Sequence, residues 1–266
     1  MIIDFHTHIF PDRIAAHAIS SLEQSGGITA KTDGTLPGLF SSMDQAGVDM
    51  SVILPVATKP AQFMNIQSFA ESINEQYSDK VMSFGGIHPD SANYRKQMNI
   101  IADLGFKGVK IHPDYQGVMI DDIRYLRIIE YASELGLIII THAGVDIGFP
   151  DLVRCTPERA LRVLQEVKPD KLVLAHCGGW GLWEEVIDTL AGESVYMDTA
   201  YSMGHISEEL FVTLCRSHGV EKMLFGSDCP WGNPKRDLEA FLTMPLTAQE
   251  QELILHQNAE RLLGNM

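Results

Sequence analysis

The sequence predicts an α/β chain closed into a (β/α)8 TIM barrel, a single domain over residues 1–266 with a small insertion after strand 1. Three observations carry this: β-rich apolar runs recur eight times, amphipathic segments separate them, and no GxGxxG follows the first run. The missing glycine fingerprint argues against an open doubly wound sheet, and eight strand units in 266 residues favour closure.

In order, the strands read IIDF (2–5), SVILPV (51–56), VMSFGGI (81–87), GVKI (108–111), LIIIT (137–141), LVLA (172–175), SVYMDT (194–199) and MLFG (223–226). Runs such as LIIIT and LVLA are apolar throughout, as strands covered on both faces must be. IDDIRYLRIIEYASELG (120–136) is amphipathic and reads as a helix. TPERALRVLQEVKPD (156–170) carries a helix start, with Thr156 as N-cap, Pro157 at the first helical position and Glu158 in the first turn. The interval 9–50 is the longest between strands. It leaves room for an extra loop or small cap whose turn-rich centre is GGITAKTDGTLPG (26–38).

A net charge of −15 without a Lys/Arg cluster excludes a broad basic face for nucleic acid or anionic membrane. Cys155, Cys177, Cys215 and Cys229 are widely spaced and form no CxxC, so reduced thiols are expected rather than a disulfide framework or zinc knuckle. The first residues lack the basic start and apolar core of a signal peptide, and no apolar run approaches membrane-spanning length. The expectation is a cytoplasmic protein that acts on a small molecule, with no nucleic-acid or membrane partner and with a homodimer left open.

DFHTHIF opens the chain with an HxH. On a regular strand Asp4, His6 and His8 share one face, and two imidazoles there are set to chelate a metal. His6, His8, His88, His112, His142 and His176 all fall at or just past strand carboxyl ends, joined by Asp228 of FGSDCPW. In a parallel barrel these ends open on the face that carries the chemistry, so a metal centre is expected there. His17, His205, His218 and His256 read as surface residues. Phe10, Arg13, Phe149, Trp180, Trp183, Tyr201 and Trp231 adjoin the same ends. Arg13 is expected to hold a substrate carboxylate, with His112 and Trp231 also on the substrate side. Cys177 and Cys229 neighbour site residues but alternate away from them, so neither is expected to be a nucleophile.

The set DFHTHIFP, GVKIHPD, THAG, LAHCGG and FGSDCPW, closed by NAERLLG (258–264), resembles the amidohydrolase superfamily. It is most similar to the amidohydrolase-related branch that includes aminocarboxymuconate-semialdehyde decarboxylase. The resemblance implies a metal-dependent TIM-barrel enzyme of small molecules. By position it makes His6, His8, His142 and Asp228 the ligands of one divalent ion, zinc first and manganese or another divalent metal next. It makes His176 the strand-6 histidine, which stands beside the metal in one-metal members and binds it in two-metal members. With a metal-bound water, His176 is expected to polarise the substrate carbonyl or steady the developing oxyanion, and Asp228 to act also as general base. Two-metal relatives carboxylate a strand-4 lysine, so Lys110 has three readings: bridge to a second metal, catalytic partner of a substrate carboxylate, or buried partner of Asp4. One metal with an uncarboxylated Lys110 is the expectation. A divalent ion lowers the pKa of its water from about 15.7 toward about 7. Hydrolysis of an amide, ester or lactone is therefore the first function expected, and non-oxidative decarboxylation of a small unsaturated or aromatic acid is the alternative. A non-catalytic metal-binding protein is the third class, and the full ligand set argues against it.

Overall fold

Each apolar run forms a strand where it is expected. The computed structural model describes residues 1–264. Its strands are β1 (Ile3–Thr7), β2 (Met50–Ile53), β3 (Val81–Ser83), β4 (Gly85–Gly86), β5 (Gly108–Ile111), β6 (Ile138–Thr141), β7 (Leu172–Leu174), β8 (Tyr196–Asp198) and β9 (Met223–Leu224). All neighbours are parallel, in the orders β1-β2-β3 and β4-β5-β6-β7-β8-β9. Only Phe84 separates β3 from β4, so one continuous run joins the two sheets. At the other side Phe5 N donates to Phe225 O at 2.8 Å, Asp228 N to His6 O at 2.8 Å and His8 N to Cys229 O at 2.6 Å. These bonds tie the first run to the last and complete a ring of the eight predicted units.

The helix signals hold. Thr156 accepts from Arg159 N and opens the helix Pro157–Val167, while Asp122 accepts from Arg124 N and opens Ile123–Glu134. The long first interval is more ordered than a loop, because it contains the helices Asp12–Gly26 and Leu36–Ala46. Leu39 and Met43 of the second pack against Ile9, Val48 and Ile53 and fix it to the barrel wall. No helix among the described residues is long and apolar enough to cross a membrane.

Val109, Ile111, Ile139, Leu174 and Met197 face the helices, whereas Val52, Leu54, Phe84, Ile138, Ile140, Val173 and Leu224 fill the barrel with Ile3 and Phe5. NAERLLG closes the amino-terminal end: Ala259, Leu262 and Leu263 pack on this interior core, and Asn258 Nδ2 donates to Val220 O and Met223 O at 2.7 and 2.8 Å. The cluster of buried histidines and Asp228 lies above this core, at the carboxyl ends of the strands.

Simple alternation along β1 fails. Its register with β2 shifts between Asp4 and Thr7, so three steps of β1 pass two of β2. Phe5 joins the interior core, and His6, the next residue, also faces the interior, where it meets Asp198 and Lys110. Asp4 points the other way, to Ser227, whose N and Oγ donate to its carboxylate at 2.9 and 2.5 Å. Burial pushes the Asp4 carboxyl up to about 7 against those bonds. The expected shared face of Asp4 with His6 and His8 is therefore corrected, and Lys110 is not Asp4's partner.

The loops that follow β6 and β7 are zipped together. Trp180 N donates to Ala143 O and Val145 N to Trp180 O, both at 2.9 Å. Gly144 between them has φ +85°, and a Cβ there would stand 2.0 Å from Trp180 N. Gly144→Ala should cost on the order of 2 kcal/mol or more, since both the backbone conformation and the contact forbid a side chain. Urea unfolding measures this, and an alanine variant as stable as the parent would show that the zip is dispensable.

Candidate metal centre and active site

Three electron-pair donors meet where β1 and β9 end. His6 Nδ1 lies 2.8 Å from Asp198 Oδ2, and His8 Nδ1 lies 2.7 Å from Leu54 O. Both partners can only accept, so each Nδ1 carries the hydrogen and each Nε2 presents a lone pair. The two Nε2 atoms are 3.2 Å apart, and Asp228 Oδ1 stands 3.1 Å from that of His8 and 3.5 Å from that of His6. Ligands at about 2.1 Å from a tetrahedral ion are separated by about 3.4 Å. His6, His8 and Asp228 therefore fit a divalent cation.

The electrostatics agree. Burial lowers His6 well below the usual imidazole value and keeps it neutral, as a ligand must be. Burial alone would raise the Asp228 carboxyl, and positive charge at His8, His6 and His176, with a hydrogen bond from His8, lowers it to about 2; a cation among the same donors acts in the same sense. Asp228 and His176 both adopt left-handed backbone, with φ 64° and 61°. Such conformations cost about 1 to 3 kcal/mol each and persist where the surroundings impose them, here to turn each side chain from the strand end into the pocket.

Lys110 Nζ is 3.2 Å from His6 Nε2, its hydrogen-bond partner among the described residues. Burial pushes its ammonium down to about 8, while Asp198, Asp228 and Asp146 pull in the opposite direction. His142 shares a second group of three potential ligands with His112 and Asp146, next to the group of His6, His8 and Asp228. His176 Nδ1 lies 2.8 Å from Ala200 O and so carries its hydrogen, which leaves His176 Nε2 to accept from His142 Nδ1 at 3.0 Å. His142 Nε2 is then a bare lone pair, buried and without a partner.

One pocket collects these groups. Its floor holds His6, His8, Lys110, His112, His142, His176 and Asp228, and Tyr115, Trp180, Tyr201 and Trp231 supply aromatic walls. Leu22, Gly26 and Ile28 of the insertion face residues 145–148 across the mouth. Arg13 does not line this pocket, a further correction: the first helix buries Ala15 and Ile19, which turns Arg13 to solvent. His88 binds its own turn, accepting from Asp90 N at 3.1 Å, and Trp183 donates to His176 O at 3.1 Å from behind the site. His218 is buried rather than on the surface, bonded to Val195 O at 2.9 Å. All four cysteines are free and buried, and burial pushes the Cys229 thiol up to about 12 and Cys177 higher still, so neither is an activated nucleophile. Sequence reasoning missed Tyr115, Asp146 and the role of Asp198. HPDY and HAGVD place the first two three and four residues past pocket histidines, a signal that proximity offered.

The family model described as amidohydrolase matches residues 3–264. No curated protein matches the chain. Among solved structures, an uncharacterised TIM-barrel protein of Bordetella bronchiseptica is similar with a TM-score of 0.80 at 24% identity, over 98% of this chain and 98% of that one. 5-Carboxyvanillate decarboxylase from Sphingomonas paucimobilis gives 0.74 at 15% identity, over 100% of this chain and 99% of that one. A dihydroxybenzoic acid decarboxylase from Polaromonas, with bound manganese and the inhibitor 2-nitroresorcinol, gives 0.75 at 15%, over 98% and 96%. At these identities the likeness is one of fold.

Asp198→Asn should lower divalent-metal affinity about 10- to 100-fold with the fold intact, because it removes the acceptor that fixes the His6 tautomer. Titration calorimetry beside circular dichroism checks this, and unchanged affinity would mean that Asp198 does not orient His6.

Proposed function

We propose, from the premise that this chain belongs to the amidohydrolase family, that it is a divalent-metal-dependent decarboxylase of a small aromatic or unsaturated carboxylic acid. One observation carries the reading: the donor trio of His6, His8 and Asp228 lies at the floor of a pocket walled by Tyr115, Trp180, Tyr201 and Trp231. Such walls suit a flat ring, and aromatic stacking orients it without consuming hydrogen bonds. The likeness to two decarboxylases of hydroxylated aromatic acids supports this over hydrolysis, the first expectation from the motifs. Manganese is proposed ahead of zinc on the bound ion of the Polaromonas structure, and two imidazoles with a carboxylate serve either.

His6, His8 and Asp228 would hold the ion, which supplies Lewis acidity toward a substrate oxygen. Among the described residues Lys110 is the only lysine or arginine lining the pocket, so its Nζ takes the role expected of Arg13 and binds the substrate's anionic oxygen. Asp228, ionised at about 2, accepts the proton of a substrate hydroxyl. Its conjugate acid is strong and returns that proton to the ring carbon bearing the carboxylate. The carbon–carboxylate bond then breaks, its electrons stay with the ring system, and carbon dioxide leaves. His176 Nε2, engaged by His142, keeps the adjacent imidazole in place.

Hydrolysis stands second, favoured by the ionised Asp228, which equally suits a base for water. A panel of hydroxybenzoates, unsaturated acids, lactones, amides and esters, assayed on manganese-loaded enzyme, separates the two. Carbon dioxide release from an acid is the expected result, and proton release from a lactone, amide or ester with no carbon dioxide from any acid would overturn it. Lys110→Met should weaken binding of the acid about 10- to 100-fold, the scale of a charge-assisted bond, with metal content retained. Elemental analysis and substrate titration read both, and unweakened binding would remove Lys110 from substrate recognition.

A further inference from the structure

We propose that Asp146 determines specificity: with His112 it binds a ring hydroxyl of the substrate, so that the pocket takes a hydroxylated aromatic acid with a single carboxylate. The inference rests on the aromatic-acid reading above, and this hydroxyl is a second one, separate from that whose proton Asp228 accepts. Asp146 and His112 both line the pocket. Asp146 Oδ2 stands 3.5 Å from His112 Nε2, the limit of hydrogen bonding, so each atom is open to a better partner.

Backbone bonds set which atom donates and which accepts. Gly148 N donates to Asp146 Oδ1 at 2.8 Å, which fixes the carboxylate and leaves Oδ2 as the free acceptor. Tyr115 N donates to His112 Nδ1 at 3.5 Å, and burial keeps this imidazole neutral, so its hydrogen lies on Nε2. Ring packing clamps His112 in that orientation, 4.5 Å from His142 with planes 10° apart and 4.6 Å from Tyr115 at 85°. An acceptor beside a donor matches a hydroxyl, which both donates and accepts. An ether oxygen satisfies only the donor.

Charge excludes a second carboxylate from the same place. Asp146 is buried, and its ion-pair partner among the described residues is the neutral His112. A hydroxyl donor offsets the desolvation of Oδ2, whereas a carboxylate there would set two buried anions side by side. Lys110 cannot compensate, because its Nζ lies at the metal donors, 3.2 Å from His6 Nε2, where the first carboxylate binds.

Binding rather than turnover is the test. Manganese-loaded full-length protein is titrated calorimetrically with 2-hydroxybenzoate, and with the same acid bearing a second hydroxyl, a methoxy group or a second carboxylate at each remaining ring position. At one position the hydroxyl should tighten binding about 10-fold or more, the scale of a hydrogen bond to a charged group, and methoxy or carboxylate there should not. Asp146→Asn keeps the acceptor for Gly148 N and turns an NH₂ into the pocket. It should abolish the hydroxyl preference and favour the carboxylate, with manganese content unchanged. Should this variant fail to fold, the wild-type order decides: methoxy or carboxylate bound as tightly as hydroxyl at every position overturns the proposal. An Asp146→Asn variant that keeps the wild-type order also overturns it, and carbon dioxide release in the same samples leaves the decarboxylase reading standing alone. The expected preference without carbon dioxide from any acid supports the role of Asp146 and removes the reaction instead. Failure of every acid to bind removes both.

Discussion

Two imidazole lone pairs and a carboxylate oxygen held 3.1 to 3.5 Å apart repel one another unless a cation lies among them. Much of the upper barrel maintains that arrangement. Asp198 and the Leu54 carbonyl take the Nδ1 hydrogens and so aim both lone pairs inward. Asp228 reaches the same point only because its backbone turns left-handed one strand away. The folded chain bears the strain and desolvation of this cluster, which a bound ion would repay on loading.

The shift in β1 links this constraint to the fold. A regular strand would place either Phe5 or His6 inside, but not both. With the extra residue, Phe5 fills the interior core against Phe84 at 6.1 Å and His6 stands directly above it in the site. Asp4 is displaced to the outer wall, where Ser227 satisfies it beside the strand end that carries Asp228. One local irregularity thus seals the apolar core and opens the polar layer.

The pocket's charge follows from the same layering. Asp228 and Asp146 line the pocket, Asp198 lies behind His6 and Asp114 behind His142, and Lys110 is the cation of the floor. Carboxylates outnumber the lysine, so the pocket is built to receive positive charge before an anionic substrate can enter. The aromatic walls come from loops after separate strands, which the zip at Gly144 and Trp180 brings to one level.

The sequence by itself determined the eight strand runs, their closure order and the level of the barrel at which the chemistry lies. Periodicity and cap residues report local backbone preference, and strand-end histidines must share a face in any parallel barrel. His6, His8, Lys110, His176, Asp228 and Trp231 were legible for that reason, and all line the pocket. Tertiary structure alone decided the facing of Asp4, because a bulge is a two-strand property invisible in one strand's pattern. It alone turned Arg13 to solvent, since the insertion's buried face is set by what it packs against. It also set which nitrogen of His142 is left free, through a hydrogen-bond relay from Ala200 by way of His176 to His142, between residues separated by 24 and 34 positions, which no spacing rule encodes.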